Sequence, residues 1–209
     1  MPEILEISHD SAEYPTALKA SPEFLSVESL FALGNLNILK QKTLALFCSI
    51  RCPGNIILQV FDFIKSLQQT KVPLISGFHS PMERECLEML LRGKHPVIAC
   101  PARSLQGMRI RREYNGPLED GRLLFLSPFP ETQRRQSEQN AIVRNHFVAA
   151  LADKIFIPYA APESKTEQFC KDIIKQHPLF TLENKDNANL IAIGAKPLPP
   201  NNVKSRSSF

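Results

Sequence analysis

Four segments of this chain place anion-binding groups where a strand is expected to turn into a helix. The first runs from Cys48 to Asn55 and carries Ser49 and Arg51. Backbone N–H groups and the helix dipole favour an anion at such a turn, and a guanidinium matches phosphate with two parallel donors. The plain alternative is a turn with a solvated arginine. The second segment holds Ser76, Gly77, His79 and Ser80. Ser80, Pro81 and Glu83 read as a helix cap, a first-turn proline and the capping-box partner. That explanation leaves out Gly77, whose missing side chain lets backbone approach a ligand. His79 has no Ser or Cys nucleophile paired with it in the sequence, so a solvated loop histidine is its simplest reading.

The third segment contains Arg103, Arg109, Arg111 and Arg112 without an acidic residue among them, and Arg134, Arg135 and Arg144 lie further on. Arginine suits bidentate phosphate contact, whereas a charge run by itself describes a solvated loop. The fourth begins with Arg144 and Asn145 on an expected helix and ends, after a strand, in Pro162-Glu163-Ser164-Lys165-Thr166-Glu167. Ser164 or Thr166 can cap the next helix, whose N-terminus offers N–H groups to an anion. No G-x-G-x-x-G or Walker A pattern is present, so the dinucleotide and nucleoside-triphosphate fingerprints are lacking. Cys48 and Cys52 are not completed by a second Cys/His pair, and neither a metal nor a cofactor is expected.

The elements that must position these segments follow from periodicity. Residues 43–49, 72–76, 96–100, 122–127, 154–158 and 179–182 form short apolar runs, as in strands buried on both faces. Between them, stripes at helical spacing cover residues 56–69, 82–91, 136–152 and 169–174. Alternating strands and helices imply βαβ units: an α/β, Rossmann-like, doubly wound, mainly parallel sheet with helices on both faces. Ligands then bind outside the carboxyl ends of the strands, which points to residues 49–55, 76–81, 101–112 and 158–165, with the helix opening at about Gln136 as a fifth place. Residues 101–121 form a long loop, a feature often tied to function. The expected division is an N-terminal segment over 1–40, with a short helix at 23–33 stopped by Gly34, a core domain over 41–197, and a flexible Pro-rich tail over 198–209.

The 209 residues, 43% of them hydrophobic, suffice for one well-buried domain and exclude collagen and a disulfide miniprotein. The longest apolar run, residues 44–48, is far short of a bilayer span, so no membrane is expected. An acidic N-terminus without a signal-peptide pattern, and five cysteines mostly in apolar segments, suggest reduced thiols in a cytoplasmic protein. The net charge of +4 permits an anionic partner without requiring one.

In order and spacing, these motifs resemble the DprA/Smf DNA-processing family. Tyr14-Pro15-Thr16-Ala17-Leu18 stands where that family has Tyr-Pro-x-x-Leu. Phe47-Cys48-Ser49-Ile50-Arg51 is similar to its Val-Gly-Ser-Arg loop, without the glycine and with one residue inserted. Ser76-Gly77 matches the start of its Ser-Gly-x-Ala-x-Gly-Ile-Asp loop, and the chain departs from it at 79–83. Arg144-Asn145, continuing into Val148-Ala149-Ala150-Leu151-Ala152-Asp153, resembles its Arg-Asn-Arg helix, and Asn189-Leu190-Ile191 with Gly194-Ala195 resembles its closing motif. The resemblance implies a Rossmann-like core that binds single-stranded DNA, forms a homodimer and helps load a RecA-type recombinase in DNA uptake. By position, Arg51, Ser76, Gly77, Arg144 and Asn145 would line its phosphate pocket. Ser49, Arg103, Arg109, Arg112, Ser164, Lys165 and Thr166 complete the candidate contacts from the loop reading.

The same stretch is also similar to the LOG phosphoribohydrolases, which carry a helical Arg, a strand and Pro-Gly-Gly-x-Gly-Thr-x-x-Glu. Residues 162–167 here lack the three glycines. This resemblance implies N-glycosidic cleavage of nucleoside 5′-monophosphates, with Arg144 holding the anion and Glu167 assisting the cleavage. It ranks behind a non-catalytic reading. A third reading is a sensor that binds a nucleotide without turnover.

Overall fold

Leu44, Leu46 and Cys48 pack into one apolar core while Ala45 and Phe47, between them, pack into another. That period of two is what a strand covered on both faces requires. The computed structural model describes residues 3–199 and repeats this alternation along the sheet. The element order is β1 (Leu5–Ser8), α1 (Thr16–Lys19), β2 (Ser29–Gly34), β3 (Leu44–Leu46), α2 (Gly54–Leu67), β4 (Leu74–Ser76), α3 (Pro81–Arg92) and β5 (Val97–Ala99). There follow α4 (Asn115–Glu119), β6 (Leu123–Ser127), α5 (Glu138–Leu151), β7 (Lys154–Phe156), α6 (Lys165–Ile173), β8 (Leu179–Leu182), α7 (Ala188–Ala192) and β9 (Lys196–Leu198). Helices α2 and α3 bury Val60, Phe63, Cys86 and Leu90 on one face of the sheet, and α5 and α6 bury Phe147, Val148, Phe169 and Ile173 on the other.

Among the described residues the sheet has nine strands, in the order β1-β2-β6-β5-β4-β3-β7-β8-β9. It is parallel from β6 to β9, and antiparallel where β2 joins β6 and β1 joins β2. From β3 the chain steps outward through β4, β5 and β6, then returns to place β7 on the other side of β3. This reversal is the topological switch point, and the crevice of such a sheet opens above the carboxyl ends of the strands beside it. The α/β, doubly wound, mainly parallel architecture is the one expected from the sequence.

Three local expectations are corrected. Residues 23–33 do not form a helix: a 3-10 turn spans Pro22–Phe24, and β2 takes up Ser29–Gly34. Leu30 and Ala32 face one core and Leu33 the other, a period of two that the pairing with β1 and β6 enforces. The 101–121 loop is not bare, since it holds a 3-10 turn at Arg112–Tyr114 and then α4. Leu198, placed at the start of the expected tail, ends β9, which pairs in parallel with β8. Residues 200–209 of that tail lie outside the described residues.

Candidate functional site

The guanidinium of Arg144 sits above the carboxyl ends of β4 and β5, beside Gly77 and Cys100, although its helix α5 starts far from both in the chain. Arg144 is only 4% exposed. Its Nη1 donates to the Cys100 carbonyl at 3.2 Å and its Nε to Asn145 Oδ1 at 2.8 Å. The guanidinium occupies the space above Gly77, where a Cβ would come within 1.3 Å of Nη1. Gly77 is therefore small because an arginine fills its side-chain volume. Burial lowers the Arg144 pKa from the usual guanidinium value, and the nearby Glu83 carboxylate opposes that shift.

Glu83 joins the loops around this group. Its Oε1 accepts from Cys48 N at 3.0 Å, and its Oε2 from His79 N at 2.7 Å and Ser80 N at 3.3 Å. The capping box with Ser80 is present, but the bond to Cys48 extends the same carboxylate to the loop after β3. Ser49, buried at 5% exposure, ties that loop to the next: its Oγ accepts from Ala161 N at 3.0 Å and lies 3.4 Å from Ser164 Oγ. Ser76 Oγ accepts from Phe78 N at 3.1 Å, holding Phe78 at a φ of 50°. Ser49 and Ser76 thus brace the loops with the same hydroxyls that were candidates for phosphate.

Ser164 is the side-chain cap of α6, accepting from Glu167 N. Glu163, just before it, has a φ of 59°, a left-handed conformation that disfavours every residue with a Cβ. It stands where the LOG pattern has glycine. Glu163→Gly should raise stability by up to about 1 kcal/mol, the relieved strain less the entropy that glycine loses on folding. Chemical denaturation checks this, with Glu163→Ala as the control expected to change little.

Glu167 is buried and fully engaged. It accepts from Lys171 Nζ at 2.7 Å, Asn189 Nδ2 at 2.5 Å and Glu163 N at 3.2 Å. The Lys171 bond, then that of Asn189, holds its carboxyl below the usual carboxylate range. A carboxyl depressed in the folded state adds stability that is complete above its unfolded pKa and is lost as pH falls through the folded one. Stability should therefore fall more steeply below about pH 4.3 in the wild type than in Glu167→Gln, measured by urea denaturation across that range.

Arg144, Asn145, Lys165 and Thr166 line a cleft of about 370 Å³. His79 and Ser80 border it from the N-terminus of α3, and Lys165 and Thr166 from that of α6, so two helix N-termini face the same space. Its carboxylates are already committed: Glu83 to three backbone donors, Glu138 to Lys165, and Asp172 to Gln168. Glu167 is not among the residues lining it.

The remaining candidates lie elsewhere. Gly77 and Arg109 line a second cavity of about 250 Å³, together with Phe78, Arg84, Arg111 and Tyr114. Arg51 borders a third, of about 560 Å³, that is largely apolar. Arg103 Nε turns back onto the Ser104 carbonyl at 3.3 Å, and Arg112 is exposed at the start of its 3-10 turn. The candidate arginines thus divide among separate cavities, with Arg144 in the first, Arg109 beside Arg84 and Arg111 in the second, and Arg51 in the third. Sequence reasoning missed Glu83 as the link between loops, and Arg84, because both are explained locally by their helix. Among the described residues, no group of three or more His, Cys, Asp or Glu side chains is placed to hold a metal ion, and no helix is long and apolar enough to cross a membrane.

A doubly wound, mainly parallel sheet with helices on both faces, and a cleft above its carboxyl edge, defines a Rossmann-like α/β protein. The family model of DNA recombination-mediator protein A matches residues 6–195, and the chain belongs to that family. The DNA processing protein A (DprA) of Streptococcus pneumoniae is similar in structure, with a TM-score of 0.79 at 19% identity, over 99% of this chain and 75% of that one. DNA processing protein A of Helicobacter pylori, solved for its single-stranded DNA binding mode, gives a TM-score of 0.73 at 18% identity, over 98% of this chain and 95% of that one. No curated protein matches the chain.

Proposed function

We propose that this protein binds single-stranded DNA at the carboxyl edge of its sheet, with a backbone phosphate seated in the Arg144 cleft, and delivers the strand to a RecA-type recombinase. The observation that carries this reading is the buried Arg144 in the lining of a cleft bordered by the N-termini of α3 and α6. Such a site offers a charge and oriented N–H donors to a phosphate, a contact that carries no sequence information and weakens with salt. Family membership and the single-stranded DNA binding of the H. pylori protein support the nucleic-acid ligand. Action as a homodimer in the cytoplasm belongs to the same proposal.

The hydrolase reading has less support. Its acid–base residue, Glu167, is held by Lys171, Asn189 and the backbone of Glu163, and it lies outside the lining of the Arg144 cleft. One experiment tests the choice. A labelled dT oligonucleotide is titrated with the protein, duplex of equal length serves as competitor, and nucleoside monophosphates are assayed for base release. The proposal expects single-strand binding that duplex displaces poorly, with no base released. Base release abolished by Glu167→Gln would reverse it, and tight mononucleotide binding without strand binding would establish the sensor.

A further inference from the structure

The 250 Å³ cavity on the far side of Gly77 has no part in the Arg144 cleft, and its chemistry is distinct. Its floor is apolar and aromatic, formed by Phe78, Met108, Ile110, Tyr114 and Phe125. Tyr114 is half-buried and meets the edge of Phe125 at 5.6 Å between ring centroids. Its rim carries Arg84, Arg109 and Arg111 against one carboxylate, Glu88. Arg111 pairs with Glu113 at 3.4 Å. Arg84 and Arg109 make no ion pair or side-chain hydrogen bond among the described residues, and neither does the Tyr114 hydroxyl.

We infer that this cavity is a second nucleotide site, which takes one base of a single strand against Tyr114 while Arg84 and Arg109 hold the adjoining phosphates. The inference rests on the proposed strand binding and extends it along the sheet edge. Two features favour a nucleotide over an acidic peptide. An aromatic ring beside unpaired guanidinium groups is what base stacking and phosphate contact use together. Gly77 walls both this cavity and the Arg144 guanidinium, so a backbone passing over residues 77–78 connects the two sites. Phe78, strained at a φ of 50°, lines the cavity at that crossing.

The test uses the full chain and labelled dT strands, intact or with one abasic position moved along them. The Arg84→Ala/Arg109→Ala double variant alters exposed side chains and leaves the fold intact. It should weaken the intact strand about tenfold and reduce the slope of log K against log salt by about 1.4, two phosphates at roughly 0.7 each for a single strand. Tyr114→Leu, which keeps the packing on Phe125, should abolish the penalty of the abasic position. Arg144→Ala is run in parallel. If it weakens binding while the double variant and Tyr114→Leu do not, the second site is wrong and the proposed function stands. A reduced salt slope with an unchanged abasic penalty in Tyr114→Leu also overturns the base site. If the wild type binds no strand, both readings fall together. Displacement of the strand by polyglutamate at equal charge concentration would assign the cavity to an acidic peptide instead.

Discussion

Glu83→Ala should lower the melting temperature by about 10 °C, the largest stability effect of any single substitution around the site. The variant removes the acceptor of three backbone N–H groups, on Cys48, His79 and Ser80. A buried donor left without a partner costs about 1–3 kcal/mol. Water can reach the exposed end at His79, so the sum is about 3–5 kcal/mol, and for a chain of this size each kcal/mol shifts the midpoint by about 2–4 °C. Glu83→Gln retains one carbonyl oxygen and should lose about half as much. Thermal unfolding followed by circular dichroism measures both, and a loss below 2 °C for the alanine variant would show that the three bonds do not hold the loops.

Gly77→Ala should impair strand binding as severely as loss of Arg144 itself. The added Cβ would stand 1.3 Å from Nη1 and 1.9 Å from Cζ of Arg144, so the guanidinium must leave. It then gives up its bonds to the Cys100 carbonyl and to Asn145. Overpacking of this kind costs about 1–3 kcal/mol of stability. The informative comparison is a double-mutant cycle. In an Arg144→Ala background the clash is gone, and Gly77→Ala should cost under about 0.5 kcal/mol in stability and nothing further in binding. Additive effects of the two substitutions would place the Gly77 defect somewhere other than at Arg144.

The central strands and the four long helices were legible because each is striped by one period that local sequence displays. The ends of the sheet were not. In β2, the Ser29–Gly34 stretch alternates only once it pairs with β1 on one side and β6 on the other, and those contacts are distant in sequence. Strand β9 is three residues long with a proline in it, and only its partner β8 makes it a strand. At the site, Ser76-Gly77, Arg144 and the Ser164 cap were readable as types at turns. Their relation was not. Gly77 reads from sequence as a place for a ligand to approach, and in the fold Arg144 fills that place. Glu83 reads as a capping-box residue, and the local pattern is complete without its bond to Cys48. The positive charge shows the same limit, since within the run from Arg103 to Arg112 it is Arg109 and Arg111 that line one cavity, while Arg103 turns back onto Ser104.

The claim that a strand phosphate sits on Arg144 is tested most directly by the salt dependence of dT-oligonucleotide binding in the wild type and in Arg144→Ala, with circular dichroism confirming that both are folded. Removing one phosphate contact from a single strand should weaken binding about tenfold or more and reduce the slope of log K against log salt by about 0.7. An Arg144→Ala variant that is folded and binds the strand with unchanged affinity and slope would contradict the account.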